Sequence, residues 1–304
     1  MSIAANLRLL PGFERVDRYL RRKYTGSERR PYAAPGSYYS PVPDCEEIKA
    51  RAAELFDANT DLGPDIRLRS DEQKKLLDEL AAYYEEFDWS DKPAIGRRFY
   101  VPNIFFEIGD AIVLYAMLRR FRPKRVIEVG SGFSSALMLD TNDVFLGGEI
   151  HFTFIEPDAS RLRSLLTSED KDRVQLVEKP VQQVPAQIFS SLDVNDVLFI
   201  DSSHVAKVGS DVNYLFFKIL PLLHSGVLIH VHDIMWPFEY PLEWIIEGRS
   251  WNEAYILRAF LQYNDSFDIL LFNSYLGHTH RKMLTERMPR FLENTGGSLW
   301  LRKR

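Results

Sequence analysis

The sequence is poor in cysteine and has no long apolar run. Cys45 is the only cysteine among 304 residues, so an internal disulfide is excluded, and one thiol cannot build a cluster of thiolate metal ligands. No stretch approaches the roughly 18 to 20 consecutive apolar residues that a spanning helix needs, and no signal peptide is recognisable. We therefore expect a cytoplasmic protein without a membrane span.

The sequence also lacks a strong excess of charge of either sign. A formal net charge of −5 gives no overall attraction to polyphosphate, and no basic patch stands out in the body of the chain, so we expect no nucleic-acid partner. Residues 1–30 are the basic exception. A solvated helical face is the usual explanation for such a leader, and contact with an anionic surface is the alternative.

The first third of the chain reads as a helical N-terminal extension, which we predict over residues 1–104. Residues 31–43 hold four prolines and predict an irregular linker. Asp44–Phe56 and Ser70–Phe87 have apolar residues at helical spacing, and Ser70 with Gln73 resembles a capping box. These helices could form a lid over a site or a symmetric contact in a homodimer, and their spacing does not choose between the two.

From Phe105 onward, short apolar runs alternate with amphipathic segments, which predicts βαβ units in one domain over residues 105–304. The expected fold is a doubly wound, Rossmann-like α/β domain. Gly296-Gly297 marks a tight turn before a hairpin-like closing strand. The seven predicted strands are Arg125–Val129, Ile150–Ile155, Val174–Glu178, Val197–Ile200, Val227–His232, Phe267–Phe272 and Ser298–Leu301.

The strongest motif is VIEVGSGFSS at residues 126–135, in which a strand, a glycine-rich turn and a helix start follow one another. Gly130 and Gly132 allow the backbone to turn sharply and approach a ligand. A dinucleotide fingerprint needs glycine or alanine where this chain has Ser135, which argues against a nicotinamide-dependent oxidoreductase.

Two acidic residues favour a cationic cofactor. Glu128 would repel a diphosphate but attract the ammonium group of a methionine moiety, directly or through water. Glu156 ends the second predicted strand, where a carboxylate can accept the hydroxyl protons of a ribose. Together they favour a sulfonium cofactor over a dinucleotide.

EVGSGFSS, Glu156 and the FIDSSH sequence at residues 199–204 resemble the class I S-adenosylmethionine-dependent methyltransferases, with the resemblance spanning about residues 105–304. The nearest likeness is to methyltransferase domain family 24, a group of small-molecule O-methyltransferases related to those for catechols and macrolide sugars. The resemblance implies a seven-stranded, mostly parallel sheet with an antiparallel last strand. It also implies S-adenosylmethionine as cofactor, held by Glu128, Gly130, Ser131, Gly132, Ser134, Ser135, Glu156 and Asp201.

Methyl transfer to a hydroxyl usually requires removal of the acceptor's proton. His204 follows the fourth predicted strand, and His230 and His232 end the fifth, at the edge of the sheet where such folds bind ligands. We expect Asp201, His204 and His232 to be the catalytic residues. His230 alone is more typical of a hydrogen-bonded core histidine.

Asp201 and Asp233 match the two metal-binding aspartates of related metal-dependent O-methyltransferases, which implies Mg²⁺ or Mn²⁺. An asparagine follows the second aspartate in those relatives, whereas Ile234 does so here. His204, His230 or His232 could supply the missing ligand, and our predicted set is Asp201, His232 and Asp233. The alternative is that Asp201 only orients His204 or the cofactor.

Two aromatic segments are candidates for acceptor contacts. Ile234–Trp244 follows the fifth strand and suits a substrate loop, although core packing explains it equally well. Tyr100 and Asn103 are either lid residues or parts of an entry turn. The expected activity is O-methylation of a hydroxyl on a saccharide or natural product, and the alternatives are an N-methyltransferase or an inactive scaffold with this fold.

Overall fold

The computed structural model describes residues 31–63, 65–89, 91–101 and 103–304. The basic leader predicted within residues 1–30 lies outside the described residues. The α-helices are α1 Cys45–Ala50, α2 Ala52–Leu55, α3 Ser70–Leu80, α4 Ile108–Phe121, α5 Phe133–Phe145, α6 Ser160–Leu165, α7 Asp211–Tyr214, α8 Leu242–Ile246, α9 Glu253–Leu261, α10 Asn273–Thr279 and α11 Arg281–Arg287. The strands are β1 Arg125–Val129, β2 His151–Ile155, β3 Val174–Val177, β4 Val197–Ile200, β5 Leu228–Val231, β6 Phe267–Phe272 and β7 Leu299–Lys303.

The strands form one seven-stranded sheet in the order β3-β2-β1-β4-β5-β7-β6. β1 to β5 pair in parallel, and β7 is antiparallel to both of its neighbours. The predicted doubly wound fold with an antiparallel last strand is therefore confirmed. The strand order reverses between β1 and β4, and in open α/β sheets ligands bind at such a point, outside the carboxyl ends of the strands.

The central strands are apolar because both of their faces are covered. All four residues of β4 and of β5 are buried, and β1 is buried after its first residue. A strand that buries both faces reads as a continuous apolar run, which is why local sequence located these strands well. This rigid core fixes the positions of the loops that follow β1, β2, β4 and β5.

The N-terminal helices differ from their predictions in two ways. The segment Asp44–Phe56 is helical in two pieces that break at Arg51, and the helix predicted to Phe87 ends at Leu80 and continues as a 3₁₀ helix over Ala81–Glu86. Neither segment is one continuous α-helix, so the predicted long helices are wrong in extent. The extent of the extension as a separate unit remains a prediction.

The predicted capping box at the start of α3 is wrong. Ser70 is the first helical residue, and its hydroxyl lies 2.6 Å from the hydroxyl of Tyr275. The Gln73 amide donates to the carbonyl of Leu68 at 2.5 Å, and its oxygen accepts from the Phe272 N–H at 2.8 Å. Both side chains thus bind partners outside the helix and attach α3 to the end of β6.

The closing strand pairs as predicted but not through a tight hairpin, because residues 273–298 between β6 and β7 contain two helices. Gly296 has a φ of 69°, and a Cβ there would lie 2.0 Å from the carboxylate of buried Asp110. Gly296 therefore lets the chain pass close to the start of α4, and Gly297 lets it pass the main chain at Asp233, where a Cβ would lie 2.8 Å from Cα. No helix in the described ranges is long and apolar enough to cross a membrane.

Candidate active site

The loop after β1 passes directly against the main chain that follows β4. Gly130 has a φ of 85°, and a Cβ on it would lie 1.7 Å from the carbonyl oxygen of Asp201. The Asp201 N–H donates to the Val129 carbonyl at 2.8 Å, which holds the two strand ends together. Only glycine fits at position 130, so the sequence motif reflects this close approach.

Glu128 lies beneath the glycine loop and is fully buried. One carboxylate oxygen accepts from the Ser134 hydroxyl at 2.5 Å and the other from the Ser135 hydroxyl. Burial raises the pKa of Glu128 to about 8, although both serine bonds oppose the shift. Glu128 therefore anchors the start of α5, and its predicted attraction to a methionine ammonium group remains a prediction.

Glu156 follows β2 and is half-buried at the edge of the cleft. Its carboxylate accepts from the Ser131 N–H at 3.1 Å and from the Asp158 N–H at 2.9 Å. These bonds fix the carboxylate between the loops after β1 and β2. The carboxylate can therefore accept hydrogen bonds from the hydroxyl groups of a ligand in the cleft.

A cleft of about 430 Å³ opens at the carboxyl ends of β1, β2 and β4. Glu156 and Asp201 line it, and Val181 and Gln182 close its far side beyond β3. The cleft continues between the glycine loop and Phe105. We call this combined space the donor cleft.

A second pocket of about 220 Å³ lies beyond Phe105, and we call it the acceptor pocket. Phe105 borders both spaces, whereas Asp233 and His232 line only the acceptor pocket. The remaining lining residues are Ile104, Glu107, Asp110, Met235, Trp244, Arg249 and Gly297.

Asp201, His204 and Asp233 form a compact cluster between the two spaces. Nε2 of His204 lies 3.4 Å from a carboxylate oxygen of Asp201 and 3.5 Å from one of Asp233. One ligand atom from each residue falls within 4.8 Å of the others, a spacing suited to a shared metal ion. His204 and Asp233 both have positive φ values, 58° and 56°, so sharp turns after β4 and β5 aim these side chains.

Glu253 at the start of α9 holds His204 from behind. It is fully buried, and one of its oxygens lies 2.9 Å from Nδ1 of His204. Metal-ligating histidines usually bind a carboxylate or carbonyl through their other nitrogen, which fixes the ring and raises its basicity. Burial acts to lower the pKa of His204, but the bonds to Asp201 and Glu253 outweigh it and raise the pKa well above the ordinary value.

A family model described as a methyltransferase domain matches residues 127–234. The match starts in β1 and ends just after β5, so it contains the glycine loop, Glu156, Asp201, His204 and Asp233. An uncharacterized protein of Archaeoglobus fulgidus is 34% identical over 168 residues, which cover 53% of this chain and 74% of that protein.

The chain belongs to the class I S-adenosylmethionine-dependent methyltransferase family.

Two methyltransferases of known structure that match this chain share little sequence with it. A Podospora anserina methyltransferase bound to S-adenosylhomocysteine is 16% identical, covers 87% of this chain and 99% of its own, and superposes with a TM-score of 0.41. The O-methyltransferase TomG from Streptomyces achromogenes, in complex with S-adenosylmethionine, is 14% identical over 84% of this chain and 96% of its own, with a TM-score of 0.40.

In this methyltransferase, Nε2 of His232 lies 3.6 Å from a carboxylate oxygen of Asp233. His232 makes no such contact with Asp201 in the described part of the chain. Its Nδ1 lies 3.4 Å from Nε2 of His230, which is fully buried and stacked on Phe199 at 3.8 Å. Burial lowers the pKa of His230 well below its ordinary value, so this ring is neutral. The structure thus places His204, not His232, between the two aspartates.

The aromatic loop after β5 divides between packing and the acceptor pocket. Trp236 is half-buried against the N-terminal extension, where its Nε1 donates to the Ala58 carbonyl at 2.7 Å, and Phe238 is fully buried. Met235 and Trp244 instead line the acceptor pocket. Part of the predicted substrate loop is therefore in place to contact an acceptor.

The entry segment before α4 is a turn closed by Asn103. Its amide donates to the carbonyls of Tyr100 at 2.9 Å and Phe106 at 3.1 Å, and its oxygen accepts from the Phe106 N–H at 2.7 Å. Asn103 thus belongs to the entry turn, and Phe105 at its tip is the residue that reaches the cleft. Sequence reasoning did not single out Phe105, Arg161 or Glu253.

Proposed function

We propose that this methyltransferase transfers the methyl group of S-adenosylmethionine to a hydroxyl group of a small saccharide or natural product, with a divalent cation held by Asp201, His204 and Asp233. The observation that carries the proposal is the position of this cluster. Asp201 lines the donor cleft, Asp233 lines the acceptor pocket, and Nε2 of His204 lies within 3.5 Å of both carboxylates.

The donor atoms fit a divalent cation. Two carboxylates and one imidazole with a carboxylate behind it form a common ligand set, and the imidazole favours Mn²⁺, Fe²⁺ or Zn²⁺ over Mg²⁺. His204 takes the place of the ligand that Ile234 cannot provide. A cation bound there would lower the pKa of a coordinated acceptor hydroxyl.

The protein's own residues then orient the reactants for in-line displacement. Backbone groups of the glycine loop and the Glu156 carboxylate hold the donor, since they line the same cleft. His232 lines the acceptor pocket, and in this proposal it accepts the acceptor's proton.

The cation site can be tested without knowing the acceptor. The unmodified protein should bind one Mn²⁺ in a titration that is monitored by the electron paramagnetic resonance signal of free Mn²⁺. Asp233→Asn and His204→Ala should weaken it at least tenfold. His224→Ala is the matched control because His224 is exposed and precedes β5, whereas Asp233 follows the opposite end of that strand.

The activity itself is tested with methyl-labelled S-adenosylmethionine and a panel of glycosides, catechols and amines, with Mn²⁺ or with a chelator. We expect label on hydroxyl oxygens only when the cation is present. Transfer that is unchanged by the chelator and by Asp201→Asn would contradict the role of the cation. Label found only on amines would replace O-methylation with N-methylation.

A further inference from the structure

Arg161 lies on the wall of the donor cleft. It stands near the start of α6, and it lines the space between the glycine loop and Phe105 together with Gly130, Glu156 and Asp201. Among the described residues that line this part of the cleft, it is the only one with a positive charge. The mechanism proposed above gives it no role.

The guanidinium group lies over an aromatic ring. Its central carbon lies 3.8 Å from the ring centre of Phe105, which in turn stacks on Phe133 with centres 5.8 Å apart and planes 16° apart. Stacking on an aromatic face fixes the plane of a guanidinium and leaves its N–H donors free along the edge. The group is thus preorganised to bind a planar anion.

Gly132 makes room for this side chain. A Cβ at position 132 would lie 3.1 Å from Cδ of Arg161 and 3.9 Å from Nη1, so the arginine runs across the face of the second glycine of the loop. The space that Arg161 occupies thus explains why residue 132 is glycine, which a sharp turn alone does not explain. This glycine brings the guanidinium to the backbone that cradles the donor.

Within the part of the chain that the structure describes, the Arg161 guanidinium makes no hydrogen bond and no ion pair within 4.0 Å. Arg163, two residues further along the same helix, instead pairs with Glu178. A guanidinium in a cleft, stacked but without an anionic partner, can bind a carboxylate through two parallel hydrogen bonds.

We propose that Arg161 binds the carboxylate of the methionine moiety of S-adenosylmethionine and that Phe105 holds the guanidinium in position for it. This inference rests on the proposed function. Glu156 fixes the ribose end of the donor, which directs the amino-acid end toward the glycine loop and Asp201, where Arg161 lies. The carboxylate is the only anionic group of the donor, and the cleft walls at Glu156 and Asp201 are themselves acidic.

Calorimetry with two donors tests the assignment. Decarboxylated S-adenosylmethionine lacks only the carboxylate, so the ratio of its Kd to that of S-adenosylmethionine measures recognition of this group. In the unmodified protein we expect a ratio of about 10 to 100, because a charged hydrogen-bonded pair contributes about that much. Arg161→Gln should bring the ratio close to 1, and Arg161→Lys should restore part of it.

Arg163→Gln is the matched control and should leave the ratio unchanged, since its guanidinium is exposed and points to Glu178. Phe105→Leu should reduce the ratio without abolishing it. If Arg161→Gln keeps the full ratio, the assignment is wrong. If the unmodified protein binds neither donor, the proposed function fails instead, so the two failures are distinguishable.

Discussion

Removal of Arg98 should destabilise the protein more than any exposed charge change. This side chain is 8% exposed and joins the entry segment to α5 and to the turn at Asp170. It donates two hydrogen bonds to Asp170, at 2.8 and 2.5 Å, and one to Asp140 at 2.8 Å, and both carboxylates are fully shielded from solvent.

The magnitude follows from the two buried carboxylates. Arg98→Met keeps much of the apolar stem but leaves Asp140 without its charged partner and Asp170 with only Arg173, whose Nη1 lies 4.0 Å away. Breaking such a buried pair costs about 3 to 5 kcal/mol. Asp140 retains the N–H of Phe99 and Asp170 retains that of Thr167, so the lower half of this range is expected. Urea denaturation followed by tryptophan fluorescence at pH 7 measures the change in the free energy of unfolding.

The pH dependence gives an independent check. Burial acts to raise the pKa of Asp170, but its bonds to Arg98 and Thr167 hold it below the ordinary value of 3.8. A carboxyl with a lowered folded pKa contributes stability above its unfolded pKa and loses it as the pH falls through the folded value. The free energies of unfolding of the unmodified protein and of Arg98→Met should therefore differ less below about pH 4 than at pH 7.

Arg163→Met is the control, because its pair with Glu178 is about half exposed and screened by solvent, so its loss should barely change the free energy of unfolding. If Arg98→Met unfolds within about 1 kcal/mol of the unmodified protein, the buried cluster does not stabilise the entry segment as argued.

Three further predictions concern the site. Gly130→Ala should weaken S-adenosylmethionine binding at least tenfold in calorimetry, because a Cβ there would lie 1.7 Å from the Asp201 carbonyl. Glu253→Gln should lower Mn²⁺ affinity about 10- to 100-fold, since the carboxylate orients His204, and unchanged affinity would refute that role. Glu128→Gln should gain stability relative to the unmodified protein as the pH rises from 4.5 to about 8, because the raised pKa makes ionised Glu128 unfavourable in the folded state. Urea denaturation across that range measures this gain, and a constant difference would contradict it.

The strands and the glycine loop were predictable because their signals are local. Val197–Ile200 is a run of four apolar residues buried on both faces, and it has the predicted bounds. Gly130 is glycine because the chain after β4 touches it. Asp201 and Asp233 could be placed together because β4 and β5 are neighbours in this topology.

The contacts that complete the site were beyond local sequence. Glu253 is 49 residues from His204 along the chain and meets it only when α9 packs beside the sheet. Arg161 lies in helix α6 and Phe105 in the entry turn before α4, and no local pattern links the two. The capping box was predicted wrongly at Ser70 for the same reason. The Ser70 hydroxyl binds the hydroxyl of Tyr275, which is 205 residues away in sequence, instead of the N–H groups at the helix start.

The central claim is that the cleft at the ends of β1, β2 and β4 binds S-adenosylmethionine. Calorimetric titration of the purified protein with S-adenosylmethionine and S-adenosylhomocysteine, with and without Mn²⁺, beside the Glu156→Ala variant, tests it most directly. The account predicts one site for each ligand in the unmodified protein and at least tenfold weaker binding in the variant. No binding of either ligand under any of these conditions would contradict the account.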